Sequence, residues 1–112
     1  MKLRLQGDSV RLRLSRVEVA TLATGADVEA VTRFFSGGEL RVQLTPGDQW
    51  HTSLESGTLR IAAPGLTAWA ATDAEGLYHL NAIAIEKDFA CLHRDPTANE
   101  GTFPNPAAIV KE

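Results

Sequence analysis

Four cations alternate along the start of the chain: Lys2, Arg4, Arg11 and Arg13. Arginines collected on one surface suit a phosphate or carboxylate, because the guanidinium fork meets two oxygens at once. The acids that could answer them are Glu86 and Asp88, which flank Lys87. A second cluster, Cys91-x-His93 with Asp88 and Asp95 nearby, is the one metal-like grouping. Zinc sites usually supply paired ligands, two cysteines and two histidines at set spacings, and one Cys with one His falls well short. His51 and His79 would join it only if the fold brought them there. A buried cysteine acting as a small hydrophobe is therefore preferred. A thiol nucleophile would need a neighbouring base and a lowered pKa. Glu86, Asp88 and Asp95 oppose the thiolate, while Lys87, His93 and Arg94 favour it, and no thiol-enzyme signature surrounds Cys91. The glycines form no phosphate-cradling pattern. Trp50, Trp69 and Tyr78 are candidates to line a cleft, Trp69 foremost, although large side chains in a small sheet more often fill the core. No catalytic residue, metal ligand or cofactor is assigned. The candidate ligand-binding set is Arg4, Arg11, Arg13, Glu86, Lys87, Asp88 and Trp69.

The elements that must place these residues follow from the apolar pattern. Residues 2–6 and 9–14 alternate strictly, which is the pattern of a half-buried strand. Gly7-Asp8 between them suits a two-residue hairpin turn. That turn sets Gln6 against Ser9, Arg4 against Arg11 and Lys2 against Arg13. Leu3, Leu5, Val10, Leu12 and Leu14 then share the core face, and the four cations share the other. Like charges directly opposite each other destabilise a ladder, so something must compensate them. If the last strand, read as one run from Leu77 to Asp88, lies beside this hairpin, Glu86 and Asp88 face the cations. A solvated, charge-balanced face is preferred over an anion site on this reading, since exposed ion pairs contribute only about 0–1 kcal/mol each.

Ser15-x-x-Glu18 matches a capping box, and Val19, Leu22 and Gly25 complete a short helix over 15–24. Strand-like segments follow at 28–35, 39–45, 50–55 and 58–63 with turn residues at hairpin spacing. They predict an antiparallel meander, and residues 66–72 a short helix or turn. The expected fold is α+β: a twisted antiparallel sheet of six or seven strands, curling toward a half-barrel, with one main helix on one face. Residues 1–112 read as one domain with an irregular tail from about 96.

Composition narrows the class. With 44% apolar and 22% charged residues and a net charge of −3, neither nucleic acid nor an acidic membrane is favoured as a partner. One cysteine cannot form an internal disulfide, which fits a reducing compartment. No apolar run approaches the roughly 18 residues of a membrane span, and the start has no signal-peptide core. A soluble cytoplasmic domain is expected.

The segment Glu86-Lys87-Asp88-Phe89-x-Cys91-Leu92, together with Phe103-Pro104-Asn105-Pro106, resembles the ending of a group of small, uncharacterised bacterial proteins. Those proteins also share a basic, alternating start leading into a Ser/Thr-x-x-Glu helix, here Leu3 to Leu22. The resemblance spans nearly the whole chain and implies a stand-alone bacterial domain, with no activity attached. It also suggests that Phe89, Cys91 and Leu92 leave the sheet to cover an edge, with Phe103, Pro104 and Pro106 pinning the tail. Three functions remain, in order: a non-catalytic binding or accessory module with a protein or small-molecule partner; an anion-binding domain using Arg4, Arg11 and Arg13; and an enzyme or metalloprotein built on Cys91 and His93. Long sheet edges invite pairing, so a homodimer stays open.

Overall fold

The computed structural model describes residues 1–89 and Phe103. In chain order the elements are β1 (Lys2–Gln6), β2 (Ser9–Leu14), α1 (Arg16–Ala23), β3 (Val28–Arg33), β4 (Glu39–Pro46), β5 (His51–Glu55), β6 (Thr58–Ala63), α2 (Leu66–Ala70), β7 (Gly76–His79) and β8 (Ile83–Lys87). They fall into two compact units, residues 1–19 with the described residues from 75 onward, and residues 20–74. Each unit holds one four-stranded sheet.

In the first unit the strand order is β1-β2-β8-β7. The β1–β2 hairpin has the expected register, from Gln6 opposite Ser9 to Lys2 opposite Arg13. Gly7 makes the turn because its φ of 54° lies in the left-handed region, which costs glycine nothing. β8 lies beside β2 as expected, and the two run parallel, with Leu12 opposite Ile85 and Arg13 opposite Glu86. The run from Leu77 to Asp88 is two strands rather than one. β7 and β8 form an antiparallel hairpin around residues 80–82, where the Ala82 N–H donates to the His79 carbonyl at 3.1 Å. Leu12, Leu14 and Ile85 are fully buried. Leu5 shares their face, but on the edge strand it stays 64% exposed.

In the second unit the order is β3-β4-β6-β5. β3 and β4 are antiparallel, β5 and β6 are antiparallel, and β4 runs parallel to β6. The meander is thus replaced by two adjacent hairpins. The physical reason is the apolar content of the strands. β6 brings Ile61 and Ala63, both fully buried, whereas β5 offers mainly polar, exposed residues. A central strand must bury its apolar side chains and an edge strand need not, so β6 takes the centre and β5 the rim. The same logic puts β8 inside β7. The protein therefore holds two open, four-stranded mixed sheets where a single antiparallel sheet of six or seven strands was expected.

The capping box at α1 forms as its sequence implies. The Ser15 N–H donates to Glu18 Oε1 at 2.9 Å, and the Glu18 N–H donates to Ser15 Oγ at 3.3 Å. Val19 and Leu22 are its buried residues. A second helix, α2, buries Leu66, Trp69 and Ala70 and contacts β4 within its own unit. Among the described residues no helix is long and apolar enough to cross a membrane.

Candidate anion-binding cleft

The polar face of the first sheet is a small lattice set by register. One cross-strand row runs Arg4, Arg11, Ala84, Tyr78; the next runs Lys2, Arg13, Glu86, Gly76. Successive side chains of a strand alternate faces, so all eight positions look the same way. Long side chains therefore flank the short Ala84, and the face sinks between them. The result is a cleft of about 230 Å³. Ala82 and Ala84 are its floor residues, Arg4 and Arg11 stand on one side, and Tyr78 with the Leu80-Asn81 turn stands on the other. Gln6 and Ser9 line its end.

Charge on this face is only partly closed. Lys2 Nζ lies 2.6 Å from Asp88 Oδ2, and Arg11 Nε lies 3.2 Å from Glu86 Oε1. Both carboxylates are largely covered, at 7% and 14% side-chain exposure, while their cations are about half exposed. Glu86 Oε2 also accepts the Tyr78 hydroxyl at 2.9 Å. Arg4 and Arg13 have no carboxylate partner among the described residues. Arg4 stands directly opposite Arg11, a like-charge pair of the kind that weakens a ladder.

Tyr78 reaches Glu86 because Gly76 leaves room. A Cβ built on Gly76 would collide with the Tyr78 hydroxyl oxygen. Partial burial first, and then the hydrogen bond and negative charge of Glu86, push the Tyr78 phenol up to about 12, with Arg11 pulling the other way. The phenol is therefore a hydrogen-bond donor at neutral pH and no base.

The remaining candidates fall elsewhere. Lys87 points to the opposite face from Glu86 and is buried at 6% exposure, with its Nζ 5.9 Å from the Phe103 ring centre. It lines a smaller cleft of about 120 Å³ with Arg13, Glu75, Glu86 and Phe89. Phe103 returns to the end of β8, where its N–H donates to the Asp88 carbonyl at 2.8 Å and its ring meets Phe89 edge-on at 5.8 Å. Trp69 is buried in α2 of the second unit and lines neither cleft. His79 belongs to β7 and His51 to β5, in different units. Cys91, His93, Asp95, Pro104, Pro106 and the expected tail from about 96 lie outside the described residues. Among the described residues no three His, Cys, Asp or Glu side chains converge to hold a metal ion.

Sequence reasoning missed Gln6, Ser9, Asn81, Ala82 and Ala84 as cleft residues. The usable signal was the pair Ala82 and Ala84, small side chains on the face that also carries Glu86.

A family model described as a family of unknown function, DUF7009, matches residues 1–107. The chain belongs to that family. The DUF7009 match takes in both sheets and every residue of the cleft. No curated protein and no solved structure matches the chain.

Proposed function

We propose that this DUF7009 protein is a non-catalytic binding module that holds a small organic anion, a carboxylate or phosphate, between Arg4 and Arg11. One observation carries the reading: two arginines oppose each other at a cleft, and Arg4 has no carboxylate partner among the described residues. A bound anion supplies the missing counter-charge, and charge-assisted hydrogen bonds to it are about twice as strong as neutral ones. Leu80 and the Tyr78 ring on the lining suit an apolar portion of the ligand, and the Tyr78 hydroxyl and Asn81 amide add polar contacts. The volume is below the about 300–1,000 Å³ of pockets for drug-sized molecules, which favours a compact ligand. The single cysteine fits a reducing, cytoplasmic setting, and a bacterial source is what the resemblance of the two chain ends implies.

Titration with inorganic phosphate and with benzoate, followed by backbone amide shifts, tests this. Shifts confined to Ser9, Arg11 and residues 80–84, lost in Arg4→Ala and Arg11→Ala, are expected. Binding of neither probe, or binding indifferent to both substitutions, would discard the anion site and leave a solvated charged face.

A further inference from the structure

A second surface lies in the other sheet and is independent of the cleft. Of the four edge strands among the described residues, three carry features that discourage pairing. β1 presents Lys2 and Arg4, and cations on an edge repel a second copy. β7 has only four residues. β5 has five, of which only Thr52 and Leu54 turn their amides outward, because Glu55 closes the hairpin against Thr58. β3 is six residues long and hydrogen-bonds only to β4 among the described strands.

The direction of its amides follows from two bonds. The Phe34 N–H donates to the Gly38 carbonyl at 3.0 Å, so Phe34 faces β4, and by alternation so do Thr32, Ala30 and Val28. On β4, the Arg41 N–H turns away from β3 and donates to the Gly57 carbonyl at 2.9 Å, and Arg41 is the residue opposite Val31. Glu29, Val31 and Arg33 therefore direct their N–H and C=O groups outward.

We propose that this edge is a self-association surface, on which a second copy of the chain pairs antiparallel about Val31. In that register Val31 meets the partner's Val31, Glu29 meets the partner's Arg33, and Arg33 meets the partner's Glu29. Every outward amide is then matched by an outward amide, and both charge pairs attract. Centring on Glu29 or Arg33 instead sets like charges together, and a shift of one pair in either direction sets Glu29 or Arg33 against Val31. On the other face Ala30 meets the partner's Thr32, and Val28 meets the partner's Phe34. Phe34 is 55% exposed in the single chain, and the pairing covers it. Two four-stranded sheets become one continuous sheet.

Sedimentation equilibrium over a dilution series, with native mass spectrometry, tests the interface. The wild-type chain is expected to be a dimer. Arg33→Glu and Glu29→Arg should each weaken it about tenfold or more, since each turns two attractive cross-strand pairs repulsive. Mixed in equal amounts, the two variants should form a heterodimer, because each supplies the charge the other lacks. Val31→Pro should give a monomer that keeps its own fold, as it removes only an outward N–H. A monomeric wild type, a Val31→Pro chain that dimerises as tightly as wild type, or a failure of the mixed variants to associate would each overturn the proposal. The second result would move the interface to another edge.

Discussion

The two sheets are built to the same plan and differ in how their polar faces are closed. Each sets two antiparallel hairpins side by side, with the second strand of each at the centre and those two strands parallel. The central buried pairs correspond as well: Leu12 lies opposite Ile85 in one, and Leu44 opposite Ile61 in the other. All four are fully buried. On the polar face of the second sheet, Arg41 is met by Glu29 and by Glu39, Arg33 by Glu39, and Arg60 Nε donates to Gln43 Oε1. Asp27 accepts from Thr45 and Gln43. On the first sheet, among the described residues, Lys2 pairs with Asp88 and Arg11 with Glu86, while Arg4 and Arg13 have no carboxylate ion pair. Apolar alternation sets the shared plan. What separates the faces is whether each charge finds a neighbour, and in a chain of net charge −3 an excess of cations on one face stands out.

The largest test of this equivalence addresses the cores. Ile85→Ala and Ile61→Ala each remove a fully buried side chain from a central strand, and such truncations cost about 2–5 kcal/mol. Denaturant unfolding should show comparable losses for the two. A loss at one site several-fold below the other would mean that the two cores, despite matching registers, are not packed alike.

Next comes the difference between the faces. Arg4→Ala or Arg11→Ala should weaken phosphate or benzoate binding about 10–100-fold, as expected for removing a hydrogen bond to a charged group at about 1.5–3 kcal/mol. Arg41→Ala, on the ion-paired face, should leave that binding unchanged and alter stability by no more than about 1 kcal/mol. Ala84→Glu sharpens the contrast, because position 84 lies opposite Arg11. A carboxylate there gives the first face the closure the second already has. Isothermal titration should then show binding lost in a protein that remains folded; retained affinity would place the anion away from Arg11.

How far these features could be read in advance follows from their range along the chain. The β1–β2 register and the Ser15–Glu18 box are decided within a few residues, by Gly7 and by a side chain three positions away, and both are as expected. That Glu86 and Asp88 face the cations followed from alternation once β8 was set beside β2. The parallel pairing of hairpins was not readable, because turn residues specify only which neighbours in sequence pair. It depends on β6 and β8 being more apolar than their hairpin partners. The turn at residues 80–82 was hidden for another reason. Leu80 adopts a φ of 52°, a conformation costing a non-glycine residue about 1–2 kcal/mol, so the left-handed position carries no Gly or Asn and the lone Asn81 beside it is a weak turn signal inside an apolar run. That costly residue stands at the cleft rim, and it is why the cleft was missed while its arginines were found.

The smallest effect on stability, and the most local, concerns Tyr78. It is the only tyrosine, so its phenolate absorbance reports on one place in the first sheet. Its value is pushed up from 10.0 to about 12, and the titration midpoint of the folded protein should lie there. Because the folded value exceeds the unfolded one, the protonated phenol stabilises the fold fully below about pH 10, and that contribution is lost as the pH rises through about 12. Glu86→Gln removes the charge that favours the protonated phenol and should move the midpoint back toward 10.0. Gly76→Ala should do the same by another route, since the added Cβ would collide with the hydroxyl and turn the ring away from Glu86. The ring is the movable end of that contact, so Gly76→Ala should scarcely change unfolding in denaturant at neutral pH. It would still reshape the cleft wall and weaken benzoate more than phosphate, because benzoate has an apolar ring to rest against Tyr78 and phosphate has none. Equal loss of both ligands would show that Tyr78 holds Arg11 and Glu86 in place rather than contacting the ligand.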